Sequence, residues 1–208
     1  MAKRNYYAPK GGLPAQTQLL SDRAVYAVIP KGVMRDIVTS NLPFWDKTRL
    51  WVLSRPLSGF AETFSQYIME VSPGGGSEKP ELDPAAEGVL FIVEGELTLT
   101  LEGEIHLMQP GGYAHNRSDE PVRFHWVRKA YEYVEGIKAP APFVTNENAI
   151  EPSAMPDTDE KWVTTRFVEP DDVRHDMHVN IVTLQPGAVI PFDETHVMEH
   201  GLYVLEGK

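Results

Sequence analysis

The segment Glu194-Thr195-His196-Val197-Met198-Glu199-His200 gathers one carboxylate and two imidazoles in the pattern Glu-x-His-x-x-x-His. On a helix, His196 and His200 would share a face and Glu194 would point elsewhere. On extended chain, Glu194 and His196 share a face, and His200 keeps that parity if no bulge intervenes. Pro191 upstream and the apolar run downstream favour extended chain. Three donors of mixed imidazole and carboxylate type then converge on one point. Such a set suits Mn²⁺, Fe²⁺ or Zn²⁺ and leaves room for a fourth ligand and for water or substrate. The competing reading is two surface histidines in a polar loop. Glu199 has the opposite parity and fits a solvated or supporting role better than a ligand role.

The other histidines carry less. His106 and His125 fall in strand-like runs, where a half-exposed histidine is ordinary. His178 alternates with Met177 and Val179 and is placed to line a pocket. His115 follows the turn Pro110-Gly111-Gly112-Tyr113-Ala114. The chain has no Gly-x-Ser-x-Gly elbow, no Gly-x-Gly-x-x-Gly and no Gly-Lys-Ser/Thr loop, so serine-hydrolase and nucleotide chemistry lack support. Gly74-Gly75-Gly76 leads into proline and acidic residues, which would repel phosphate. Cysteine is absent, which excludes disulfides, thiolate metal sites and a cysteine nucleophile.

Composition narrows the partners. With 19 basic against 30 acidic residues the formal charge is −11, a poor match for nucleic acid or an anionic membrane. No apolar run approaches the roughly 18 residues that a membrane span needs. Met1-Ala2-Lys3-Arg4-Asn5 is basic but no apolar stretch follows, so the expected location is the cytoplasm. At 42% hydrophobic residues, the 208-residue chain is too apolar for intrinsic disorder.

The elements that must position the Glu/His set are strands. Arg49–Leu53, Thr63–Val71, Val89–Val93, Leu97–Leu101, Ile105–Met108 and Val122–Lys129 are apolar or alternating runs closed by Gly/Pro turns. Period two with one polar face predicts half-buried antiparallel sheet, and this spacing of turns predicts a sandwich or barrel. Residues 137–160, rich in proline, read as a connection. Met177–Leu184, Ala188–Phe192 and Leu202–Gly207 then resume the strand pattern.

The two halves repeat. An alternating strand, Val71-Ser72-Pro73-Gly74-Gly75, a loop, Glu87 and Leu90-Phe91-Ile92-Val93-Glu94-Gly95 recur in order. Their counterparts are Leu184-Gln185-Pro186-Gly187-Ala188, a loop, His200 and Leu202-Tyr203-Val204-Leu205-Glu206-Gly207. The repeat predicts two copies of one β unit. The first copy's loop, residues 76–87, holds no histidine, so that copy reads as metal-free and structural.

Gly187, Glu194, His196, His200 and Gly207 resemble the first metal motif of the cupin superfamily. Glu194 stands where that motif has its first His, and His200 where it has its Glu. The permuted set, within residues 193–205, closely resembles the (S)-ureidoglycine aminohydrolases, bicupins also described as glyoxylate-induced proteins. Leu19–Ala24, Phe91–Gly95 and Arg128–Gly136 agree with the same family.

The resemblance implies an all-β bicupin of two tandem double-stranded β-helix (jelly-roll) barrels. Residues 1–136 would be a metal-free N-terminal cupin with an extension, 137–160 the linker, and 161–208 a C-terminal cupin, incomplete here, that carries the metal. It implies Mn²⁺ held by Glu194, His196 and His200, with Glu194 also serving catalysis near the leaving amine. The reaction would hydrolyse (S)-ureidoglycine to (S)-ureidoglycolate and ammonia, in the allantoin branch of purine breakdown, in a homo-oligomer. The family's fourth ligand, a Gln, and its substrate-contacting Tyr and Lys would lie further on. The natural protein is therefore expected to be longer by about half a cupin domain. The stretch from Gly112 to Asn116 is short for the family, and no role is expected of His115. Two other readings are a different metal-dependent cupin enzyme, such as a dioxygenase or isomerase, and a non-enzymatic cupin that binds a small molecule.

Overall fold

Alternation along residues 63–71 makes a strand with two different faces, and both become buried. In the computed structural model, which describes residues 42–54, 63–81, 83–111, 121–192 and 199–207, that strand is the centre of the first unit. The first unit contains β1 (Asp46–Ser54), β2 (Phe64–Gly76), β3 (Ala86–Glu94), β4 (Leu97–Leu101), β5 (Glu104–Met108) and β6 (Val122–Ala130). Antiparallel pairing sets the order β1-β2-β6-β3 in one sheet and joins β4 to β5 in another. The strand runs expected in the first half fall in these elements, the Thr63–Val71 run beginning one residue before β2.

Register places Leu50, Met69, Phe124 and Ile92 in one row across the four strands. With Val71, Val122 and Met108 they form the buried core. The β4–β5 hairpin closes this face, with Leu97 and Leu99 packed against the core. Its two-residue loop, Glu102-Gly103, has positive φ at both positions, the primed turn that matches strand twist.

The opposite face is buried too. Trp51, Ile68, His125 and Phe91 form the adjacent row, and Ile68 is 1% exposed. One row further, Arg49, Glu70, Arg123 and Glu94 alternate in charge, with Arg123 2.8 Å from Glu70 and 3.1 Å from Glu94. A two-sided strand needs a second layer, and the second half of the chain supplies it. Phe167 meets the edge of Phe91 at 6.3 Å between ring centroids, and Tyr203 lies 5.3 Å from His125.

In the second half, β7 (Ser153–Ala154), β8 (Trp162–Arg166) and β9 (Asn180–Leu184) form a three-stranded antiparallel sheet. Within 137–160, a short 3₁₀ turn at Glu147–Ala149 precedes β7. The described residues are thus nearly all β in their regular structure, with no α-helix among them.

Three expectations need correction. Pro73-Gly74-Gly75 does not end β2. The strand continues to Gly76 across a bulge in which Asp46 pairs with Gly76 and Thr48 with Val71. A Cβ on Gly75 would come within 2.7 Å of the Asp46 carbonyl oxygen, so the glycine lets the chain fold over itself there. Next, the run expected from Met177 becomes strand only at Asn180, leaving His178 exposed before it. Finally, the described parts of Ala188–Phe192 and Leu202–Gly207 form no strand. Among the described residues they have no ladder partner, and apolar alternation makes a strand only where a neighbour satisfies its backbone.

The repeat is visible in backbone conformation. Gly74 and Gly187 share positive φ (69° and 80°), as do Gly95 and Gly207 (79° and 93°). An offset of 113 residues carries the Pro-Gly turns onto each other and Thr63 onto Asp176, while 112 carries the Glu-Gly turns together and Glu87 onto Glu199.

Candidate metal centre

The candidate ligand segment enters the described residues at Glu199 and runs along the outer face of the first unit. Glu199, Gly201 and Tyr203 touch that face. The Thr63 backbone N–H donates to the Glu199 carboxylate. Gly201 is seated on Gln66 and Phe64, so closely that a Cβ there would lie 2.5 Å from Gln66 Oε1 and 2.9 Å from Phe64 Cε2. Tyr203 stacks at a tilt on His125. His200 and Leu202 are exposed. Glu199 thus ties the segment to the first unit, a supporting role.

Of the three ligands expected from the sequence, the structure places His200. Glu194 and His196 lie outside the described residues. Among the described residues there is no group of three His, Asp or Glu side chains arranged to hold a metal. His200 offers an exposed imidazole, whose chemistry fits a borderline divalent cation alongside carboxylate.

His125 lies in β6, partly exposed, as a strand histidine. Burial under Tyr203 pushes its imidazole down to about 4, so the ring is neutral at physiological pH. Its Nε2 is buried without a hydrogen-bond partner, as are Trp51 Nε1 and Gln66 Nε2 on the same sheet face. His106 lies in β5 beside a shallow cavity of about 230 Å³ that also touches Phe143. His175 packs edge-on against Phe143 with Asp172 3.7 Å away. His115 lies outside the described residues.

A second titratable group was not anticipated. Glu87 of β3 and Lys129 of β6 are register partners, and Asp176 from before β9 descends onto both. Lys129 Nζ lies 2.9 Å from Asp176 Oδ2, and the Glu132 backbone N–H donates to the same oxygen at 2.8 Å. Burial first, then hydrogen bonding to Asp176 and its negative charge, pushes the Glu87 carboxyl up to about 8. Burial also pushes Asp176 up. Hydrogen bonds from Glu87, the Glu132 amide and Lys129 outweigh it and hold Asp176 below the usual carboxylate range. The opposite shifts favour one proton held by the carboxyl pair as a unit. The sequence shows Glu87 and Lys129 in their runs, but nothing in it says that Asp176 would cross to meet them.

The mouth of the first unit holds a cavity of about 470 Å³ lined by Trp45, Tyr67, Trp126 and Arg128. Arg128 is held there by Glu81 through two hydrogen bonds of 2.7 and 3.0 Å.

Residues 58–131 match the EutQ-like cupin domain family. The chain is 27% identical over 206 residues to (S)-ureidoglycine aminohydrolase of Escherichia coli K12, covering 91% of this chain and 76% of that one. It is 26% identical over 180 residues to the Arabidopsis thaliana enzyme of the same name, covering 82% of this chain and 58% of that one. Among solved structures, a Pseudomonas aeruginosa protein described as glyoxylate-induced superposes with a TM-score of 0.76 at 62% identity, covering 94% of this chain and 77% of that one. On that identity and extent, the chain belongs to the glyoxylate-induced protein family of cupins.

Proposed function

We propose that this protein is an (S)-ureidoglycine aminohydrolase, cleaving the C–N bond of (S)-ureidoglycine with water to give (S)-ureidoglycolate and ammonia. The observation that carries the reading is that relatives from bacteria and plants with this activity match most of the chain.

Glu194, His196 and His200 are the residues that would hold Mn²⁺, which when bound supplies Lewis-acid stabilisation of negative charge on the substrate. Glu194 in addition serves catalysis near the departing amine. The substrate is a small molecule, the working form is a homo-oligomer, and the protein acts in the cytoplasm. Among the described residues no helix is long and apolar enough to cross a membrane.

The test is incubation of the purified protein with (S)-ureidoglycine while ammonia and oxygen are both followed. Ammonia release without oxygen uptake is expected. Oxygen uptake without ammonia would move the assignment to a cupin oxygenase.

A further inference from the structure

The first unit contributes no ligand to the proposed metal set, yet its outer sheet face determines how the segment bearing His200 lies. Three anchors alternate along the segment: Glu199 on the Thr63 amide, Gly201 on Gln66 and Phe64, and Tyr203 on His125. On extended chain, fixing residues on either side of His200 fixes the direction in which its imidazole leaves the backbone. The tightest anchor is Gly201. Gln66 beneath it is 5% exposed, and the Phe64 ring limits the room on the other side.

We propose that the first unit is a positioning template for His200, with Gly201 and Gln66 as the pair that sets its register. This rests on the reading of His200 as a metal ligand and extends it to residues in the other half of the chain. A side chain at position 201 would lift the segment off the sheet, carrying His200 with it. Misplacing a supporting contact of a metal ligand typically weakens metal binding about tenfold to a hundredfold. A smaller residue at position 66 would make room for the added methyl and let the segment settle again.

The experiment measures Mn²⁺ affinity by calorimetric titration of the full chain, with the paramagnetic resonance spectrum of bound Mn²⁺ as a second signature. Gly201→Ala is expected to weaken binding about tenfold or more and to alter the spectrum, and Gly201→Ala/Gln66→Ser to recover most of both. Unchanged affinity in Gly201→Ala overturns the proposal. So does loss that Gln66→Ser fails to rescue, because the effect would then not pass through Gln66. Should Gly201→Ala not fold, Glu199→Ala removes the Thr63 anchor without adding bulk. Weaker binding then supports the template, and unchanged binding overturns it. A wild-type protein that binds no Mn²⁺ defeats the underlying ligand reading, and the template falls with it. That outcome is recognisable because it appears before any substitution is made.

Discussion

Asp176 and Lys129 form an ion pair of 2.9 Å between the two halves of the chain, and Lys129 is only 10% exposed at its side chain. The Glu87 carboxyl completes the group from the next strand. Two carboxyl groups and one ammonium at a buried junction are stable when one carboxyl keeps its proton, and the position of that proton makes the junction sensitive to pH.

The sign follows from Glu87. Its carboxyl is raised to about 8 from an ordinary value of 4.5, so the folded chain retains a proton that the unfolded chain has released. Stability from this group is fully present below pH 4.5, falls as pH rises towards 8 and is lost above that. Asp176 works in reverse: it is depressed, so its contribution is lost as pH falls through its folded value. Glu87→Gln, which keeps a neutral donor facing Asp176, is expected to flatten the decline of Tm between pH 5 and 8. An unchanged slope would mean that the proton sits elsewhere.

Lys129→Met removes the only cation that an ion pair supplies to Asp176 among the described residues. It leaves a largely buried carboxylate uncompensated, at a cost of about 2–3 kcal/mol, discounted from a fully buried pair because Asp176 is partly exposed. Urea unfolding measures the loss. Lys129→Met/Asp176→Asn should recover part of it, since no unpaired charge then remains.

Phe124 is fully buried between Met69 and Ile92 in register, and Trp45 reaches it at 6.2 Å between centroids. Phe124→Ala should destabilise the first unit by about 3–5 kcal/mol. A change below about 1 kcal/mol would show that this sheet face is not the core.

The first unit was legible because each of its strands finds a partner nearby in sequence or across one sheet. Local alternation and Gly/Pro turns were then sufficient. The described strand signals of the second half were partly misleading for a stated reason. Val189 and Leu202 are 75% and 80% exposed, and propensity alone cannot pair a backbone. In the sequence the Pro-Gly turn after Val71 reads as a stop, because the bulge that absorbs Ser72–Gly75 depends on its pairing with Asp46 of β1. The candidate ligands are legible in the sequence as a spacing, and parity sets Glu199 apart from them. What parity could not supply is the object that Glu199 faces. Neither the Thr63 tie, nor the Gln66 seat, nor Asp176 over Glu87 has a local signature, since each joins residues more than 80 positions apart.

Removal of metal provides an independent check. Dialysis against a chelator is expected to abolish ammonia release, and Mn²⁺ to restore it more fully than Zn²⁺. Full activity in chelated, metal-free protein would contradict a role for the Glu194, His196 and His200 set in binding a cation.

The most direct measurement is the initial rate of ammonia release from (S)-ureidoglycine by the Mn²⁺-supplemented protein and by its His200→Ala variant. The wild type is expected to release ammonia and form (S)-ureidoglycolate in equal amounts, and the variant to lose activity about a hundredfold or more, as expected when a metal ligand is removed. Equal rates in the two proteins, or no ammonia from the wild type above the spontaneous reaction, would contradict the account.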